Sequence, residues 1–282
     1  MSWRLRVKHR TGFTYAGTVH ASYNEVRMSP LDTPTQFTIE HKLDVAPVAH
    51  VSRYRDYWGT RVHVFDLHRP HTELMVTATS LVETPAYAPE PSGATVPWET
   101  YTWDSVTDRY CEYLSFTNYV SRDESIDALA RELRGAATPG QAVADVVDML
   151  HSDFAYVPGS TDVTTSATEV LNLKRGVCQD FAHLGIALLR SMGIPARYAS
   201  GYLHPQKDAT IDDTIEGQSH AWLEAWLGDW HAVDPTNGTA VASQHVLVAR
   251  GRDYGDVPPL KGIYNGGPSD RVDVQVEITR VA

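Results

Sequence analysis

The sequence predicts an α+β fold, with an all-β unit followed by a mixed helical and stranded core. Three observations carry this. Apolar and polar residues alternate with period 2 through most of the first 84 residues. The middle of the chain carries apolar residues at helical spacing behind readable caps. Period-2 segments return after about residue 196. A chain of 282 residues at roughly 150 per domain corresponds to about two domains, long enough to bury a core.

The first unit is expected over residues 1–84. Trp3, Leu5 and Val7 alternate with Arg4, Arg6 and Lys8, and Phe37, Ile39, His41, Leu43 and Val45 alternate with Thr38, Glu40, Lys42 and Asp44. Val62, Val64 and the run 74–82 continue the pattern, broken by the turn signals Ser29-Pro30, Thr33-Pro34 and Trp58-Gly59. Short alternating strands at this spacing suggest a β-sandwich-like domain. Residues 85–98 contain PAYAPEPSGATVP, whose four prolines remove backbone donors and mark a linker. The core is expected over 99–282, with a terminal strand.

In the core, Ser121 and Glu124 fit a capping box ahead of the stripe Ile126, Leu129, Ala130 and Leu133. Thr138, Pro139 and Gln141 open a second helix, with Val143, Val146, Val147 and Leu150 as its buried face. Ser166 and Glu169 open a short one. A further helix is expected over 177–192, closed by Gly193 and Pro195. Strands are expected over 196–202, 220–227, 230–235 and 245–249. In the tail, Val272, Val274, Val276 and Ile278 alternate with polar residues.

Lys and Arg total 24 against 35 Asp and Glu, a net charge of −11, which counts against nucleic acid or an anionic membrane as the main partner. The amino terminus has charges at every second residue and no apolar core of a leader, and no stretch approaches the ~20 apolar residues of a membrane span. The expectation is a soluble, cytoplasmic protein. Two cysteines, Cys111 and Cys178, exclude a disulfide framework and a Cys₄ zinc site.

Cys178 stands in RGVCQDFAHLGIALLRSMGIP, at the expected start of a helix, where backbone N–H groups and the helix dipole favour a thiolate. The segment alone leaves two readings open, a nucleophile or a small packed residue. Cys111, among the aromatics of DRYCEYLSF, reads as an inert packed thiol. A thiolate enzyme needs an imidazole beside the sulfur and a carboxylate or amide to orient that imidazole. His220 and Asp234 in SHAWLEAWLGDWHAVDPTNG supply them if the hairpin register allows. A two-residue loop would put His220 and Asp234 on opposite faces. A three-residue loop, 227–229, pairs Trp226 with Trp230 and puts them on one face as diagonal neighbours. His183, rotated about 140° from Cys178 around the helix, reads as packing. His68 and His71 sit among prolines and strand residues, so no metal site is expected. GxSxG, GxxxxGK, GxGxxG and HExxH are all absent.

Taken in order, RGVCQDFAHL, GIPARYASGY and SHAWLEAWLGDWHAVDPTNG resemble the transglutaminase-like core of bacterial proteins within the papain-like group of thiol enzymes. RLRVKHRTGFTY, DYWGT and PHTELMVTATSLVE resemble the N-terminal domain that precedes that core, and YVPGSTDVTTSATEVL and GRDYGDVPPLKGIYNG extend the match over nearly the whole chain. The resemblance implies a Cys178–His220–Asp234 triad, and a cysteine-bearing helix packed on an antiparallel sheet. It also implies oxyanion support from Tyr156 beside the Cys178 backbone N–H. Gln179 stands where animal transglutaminases have tryptophan, Asn172 where papain-like proteases carry an upstream glutamine, and Thr60 where asparagine is more usual. Calcium-binding segments have no counterpart, so no cofactor is expected.

The expected activity is thiol-dependent acyl chemistry on protein or peptide amides through a thioester. Hydrolysis, as in a cysteine protease or deamidase, is slightly favoured over transfer to a primary amine. A non-catalytic scaffold on the same fold is the alternative. A third reading, acyl transfer from a small thioester as in arylamine acetyltransferases, has no coenzyme A motif behind it.

Overall fold

The computed structural model describes residues 2–86, 89–217 and 219–282. The amino-terminal unit contains β1 (Trp3–Val19), β2 (Ala21–Val26), β3 (Phe37–Ala46), β4 (Ser52–Arg55), β5 (Arg61–Leu67) and β6 (His71–Thr84). Five helices follow among the described residues: α1 (Asp104–Thr107), α2 (Glu124–Leu133), α3 (Pro139–Asp153), α4 (Ala167–Leu173) and α5 (Cys178–Ser191). The short strands β7 (Ala155–Tyr156) and β8 (Arg175–Gly176) lie between them. The chain then runs through β9 (Ala196–Leu203), β10 (Thr214–Gly217), β11 (Ser219–Trp226), β12 (Trp230–Asp234), β13 (Thr239–Ala240) and β14 (His245–Gly251). It ends with β15 (Leu260–Asn265) and β16 (Ser269–Arg280). This is the expected α+β class.

Strand order is β10-β16-β1-β6-β3 in one sheet, β15-β2-β5-β4 in the second and β13-β12-β11-β9-β14 in the third. The length of β1 explains how they combine. Its odd-numbered residues from Trp3 to Thr11 are buried, while Arg4, Arg6, Lys8 and Arg10 face water. At the far end of that sheet, Tyr15, Leu74, Val76 and Ala78 pack against Val26, Phe65 and Leu67 of the second sheet, forming the sandwich core. At the near end, Trp3, Leu5, Val7 and Val82 join the core that surrounds α5. One sheet therefore roofs both layers.

The tail pairs where the pattern alone could not say. β16 runs antiparallel to β1, from Leu5 opposite Arg280 to Phe13 opposite Val272, and β15 runs antiparallel to β2. The expected boundary kept these residues with the core; their hydrogen bonds run to the amino-terminal sheets. Val276 and Ile278 are buried, but Val272 and Val274 are exposed, because nothing among the described residues covers that end of the sheet. Of the expected linker, positions 87 and 88 lie outside the described residues. Beyond them Pro91 is buried against the first turn of α3, where Gly140 leaves room for the Pro91 carbonyl.

Helix starts follow side-chain chemistry. Thr138 caps α3 by accepting from the Gln141 N–H at 3.1 Å, and Ser166 and Glu169 form a reciprocal box on α4. The box expected at Ser121 is corrected. Asp123 caps α2 instead, accepting from the Ile126 N–H at 3.0 Å, and the Ser121 hydroxyl is bonded to Thr168. No helix among the described residues is long and apolar enough to cross a membrane.

The two units are joined by polar contacts as well as packing. The buried Gln36 amide donates to the carbonyls of Leu31 (2.7 Å) and Leu247 (2.8 Å), and its oxygen accepts from the Leu247 N–H at 2.8 Å. This satisfies backbone groups at the bulge in β14, whose pairing with β9 slips between Leu247 and Ala249.

Candidate active site

Cys178 is the first residue of α5, as the sequence predicts. The turn before it is held by Asp180, which the sequence reading overlooked. Its carboxylate accepts from the Val177 N–H at 2.7 Å and from the Thr161 hydroxyl at 2.6 Å. That ties the loop before α4 to the cysteine's own turn. An acidic residue at the third helical position was the readable signal. Burial raises the Asp180 carboxyl above its ordinary value, against the lowering by those two bonds. α5 is buried from Asp180 to Arg190 and packs on β11 and β9.

The hairpin adopts the three-residue loop. Trp226 pairs with Trp230 and Leu223 with Val233, with Gly228 at φ +90° in the turn. His220 and Asp234 consequently share a face, and His220 Nε2 donates to Asp234 Oδ2 at 2.7 Å. Nε2 being taken, Nδ1 is the ring nitrogen left for Cys178. Burial opposes charge on the ring, yet the bond to Asp234 and then the Cys178 side chain raise His220 from 6.5 to about 10.

Asp234 is fully buried and fully satisfied. Oδ2 accepts from His220, from Asn237 Nδ2 at 2.7 Å and from His245 Nε2 at 3.1 Å. Oδ1 accepts from the backbone N–H groups of Thr236 (3.0 Å) and Asn237 (3.3 Å). Burial would push this carboxyl up, but the donors, His220 first, hold it well below 3.8. The sequence reading missed Asn237 and His245. Asn237 was within reach of it, because an Asp-Pro-Thr-Asn-Gly turn favours side chains bonding back to the chain. His245 carried no local signal. It arrives on β14 after the chain crosses from β13, and its Nδ1 accepts from the Ala242 N–H at 3.4 Å, which leaves the ring hydrogen on Nε2, facing Asp234. Burial lowers His245, so this ring is a neutral donor. The Trp222 ring lies tilted at 6.2 Å from that of His220 and edge-on at 5.3 Å from that of His245. Its other side meets Leu31 of the amino-terminal unit together with Ala199 and Leu247.

Cys178, His220, Tyr156, Gln179, Tyr198 and Tyr254 line one cavity of about 400 Å³. Tyr156 is half-exposed on its rim, with β7 pairing Tyr156 to Gly176 beside the cysteine turn. Burial, then the nearby Cys178, raises its phenol. His183 is fully buried against Tyr198 and Tyr119, and its Nε2 accepts from the Tyr254 N–H at 3.2 Å, a packing role. Cys111 is not the packed thiol expected: it is exposed, in a single 3₁₀ turn, and both cysteines are free. The ligand atoms of His220, Asp234 and His245 lie within 4.8 Å of one another, close enough to hold a metal ion. Both rings, however, are committed as donors to one oxygen that also accepts from Asn237, so the group is complete as a hydrogen-bond network.

Comparison with known families fits this geometry. Residues 127–235 match the transglutaminase-like superfamily core, and residues 5–83 match the bacterial transglutaminase-like N-terminal region. The chain belongs to the bacterial transglutaminase-like family. Within this family, an uncharacterized protein of Mycobacterium leprae is 45% identical over 99% of this chain and 100% of its own length. One from Mycobacterium tuberculosis is 34% identical over 98% of this chain and 92% of its own. The protein-glutamine gamma-glutamyltransferase of Pseudomonas aeruginosa is 34% identical over 39% of this chain and 18% of its own length. Among solved structures, one described as "a Putative Cysteine Protease from Cytophaga hutchinsonii" superposes with a TM-score of 0.77 at 24% identity, covering 100% of this chain and 93% of that one. That likeness shows the transglutaminase-like, papain-like fold.

Proposed function

We propose that this transglutaminase-like chain is a thiol enzyme acting on carboxamide or peptide bonds of protein substrates, with Cys178 as nucleophile, His220 as its acid–base partner and Asp234 as the group that orients His220. The observation that carries the reading is the 2.7 Å bond from His220 Nε2 to a buried Asp234, with His220 and Cys178 on the wall of one cavity. The sulfur attacks the carbonyl carbon. The C–N bond breaks as the leaving amine or ammonia takes the proton held by His220, and a thioester remains. Water or an amine then attacks the thioester, and the thiol is restored.

The oxyanion is served by the Cys178 backbone N–H at the start of α5, with Tyr156, on the wall of the same cavity, as the side chain that helps. Water is favoured as acceptor, because Gln179 stands where animal transglutaminases have tryptophan. The similarity to a glutamyltransferase over the core supports the amine as the second acceptor. A cytoplasmic location is part of this reading, and cell fractionation tests it. The deciding experiment incubates a glutamine-containing peptide with and without a primary amine and follows ammonia release, peptide cleavage and amine incorporation. Turnover abolished by Cys178→Ala supports the reading. Activity that survives this substitution contradicts it.

A further inference from the structure

We propose that the mouth between the edge strands of the two amino-terminal sheets binds a small phosphate-type anion. β3 is the edge of one sheet and β4 the edge of the other. Between them opens a cavity of about 1020 Å³, lined by His41, Arg53, Arg55, Arg61 and His63, with Glu40 among its lining. Its basic side chains form a block. Arg53 pairs across the strands with His63, and Arg55 with Arg61, so all four lie on one face of the second sheet. By strand alternation this is the face that Phe65 and Leu67 turn into the sandwich core. His41 faces them from the opposite sheet, its ring 5.2 Å from that of His63.

Charges on β4 protect an exposed sheet edge, but this does not explain why Arg53 and Arg55 face His63 and Arg61 directly across the strands. Like charges directly opposite in a sheet destabilise it. The carboxylates nearby offset only part of this charge. Asp32 pairs with Arg61, but among the described residues neither Arg53 nor Arg55 has an ion-pair partner, and Arg55 donates only to the Gly59 carbonyl at 3.1 Å. Both histidines also carry buried ring nitrogens without a hydrogen-bond partner among the described residues, Nε2 of His41 and Nδ1 of His63. The other nitrogen of His41 is bonded to Ser80 at 2.9 Å. Burial, then the neighbouring cations, lowers both rings, His41 to about 4, so they remain neutral and do not add to the charge. The guanidiniums of Arg53 and Arg55, exposed on β4, and that of Arg61, paired with Asp32, line this one space in a chain of net charge −11, and their remaining N–H groups are suited to an oxyanion. The recess between two sheets suits a small solute rather than a surface.

The test is isothermal titration of the full chain with inorganic phosphate and with pyrophosphate, at ionic strength matched by sodium chloride, with acetate as a carboxylate control. Saturable one-to-one binding of pyrophosphate is expected, weakened at least about tenfold in Arg53→Gln/Arg55→Gln. That variant keeps polar stems, and an unchanged circular dichroism spectrum and unchanged labelling of Cys178 establish that it is folded. No saturable heat in the native chain, equal binding by the folded variant, or acetate binding as tightly as pyrophosphate overturns the proposal.

Discussion

Trp226 stands directly across its hairpin from Trp230, and this register places the imidazole of His220 on the same face as the carboxylate of Asp234. A slip of one residue would turn every side chain of β12 to the other face. The turn that sets the register depends on Gly228, at φ +90°, where the Leu227 N–H donates to the Asp229 carbonyl at 2.7 Å. Gly228→Ala is expected to lose about 1–2 kcal/mol of stability, read as a lower urea midpoint, because an L side chain is strained there and a Cβ would press on Val96.

His245 shares Asp234 Oδ2 with His220. Removing it leaves a buried carboxylate short of one donor. His245→Ala is expected to lower turnover by roughly ten- to a hundredfold, the equivalent of about 1.5–3 kcal/mol for a hydrogen bond to a charged group. His245→Gln, which can still donate, should recover part of the loss. Turnover equal to the native chain in the alanine variant would remove His245 from the site.

The pair His220–Asp234 has a defined pH signature. His220 is raised from 6.5 to about 10, so it stabilises the fold fully below pH 6.5 and loses that contribution as pH climbs through about 10. Asp234 is depressed below 3.8, so its contribution is present above that value and fades as pH falls below it. The stability difference between the native chain and His220→Ala, measured in urea across pH, should therefore be largest between about pH 4 and pH 6.5 and shrink toward pH 10. A difference that grows with pH above 7 would contradict the assigned direction.

Glu224 lies two pairs along the same strand face from His220, buried between Arg197 and Arg250 at 2.7 and 2.9 Å. The two guanidiniums outweigh burial and hold its carboxyl below the ordinary value. Glu224→Gln leaves both without a counter-charge and should lose about 3 kcal/mol of stability in urea unfolding. The relative labelling of the two cysteines in the folded variant should stay unchanged, because Glu224 does not touch the thiol's partners.

Local chemistry made part of this structure legible in advance. The alternation from Trp3 to Lys8 identified a half-buried strand, and the segment around Cys178 located a helix start; the three-residue loop 227–229 was expected only because a His220–Asp234 pair requires it. The first two depend on neighbours in sequence. What failed depends on distant partners. The alternation of Val272 to Ile278 indicates a strand but not that β1 receives it, nor that Val272 is left exposed. Ser121 looked like a cap, but its hydroxyl is bonded to Thr168, 47 residues on, and Asp123 takes the role. His245 joins the site only because the chain doubles back from β13, and Leu31 supports Trp222 only because the amino-terminal unit docks there.

Competitive labelling of the two free cysteines with iodoacetamide at pH 7, mapped by mass spectrometry, tests the central claim most directly. Cys111 is exposed and Cys178 is partly buried, so access alone favours Cys111. Paired with His220, Cys178 is expected to react faster than Cys111, and the advantage should vanish in His220→Ala. Faster labelling of Cys111, or a Cys178 rate unchanged by His220→Ala, would contradict the assignment of Cys178 as the nucleophile.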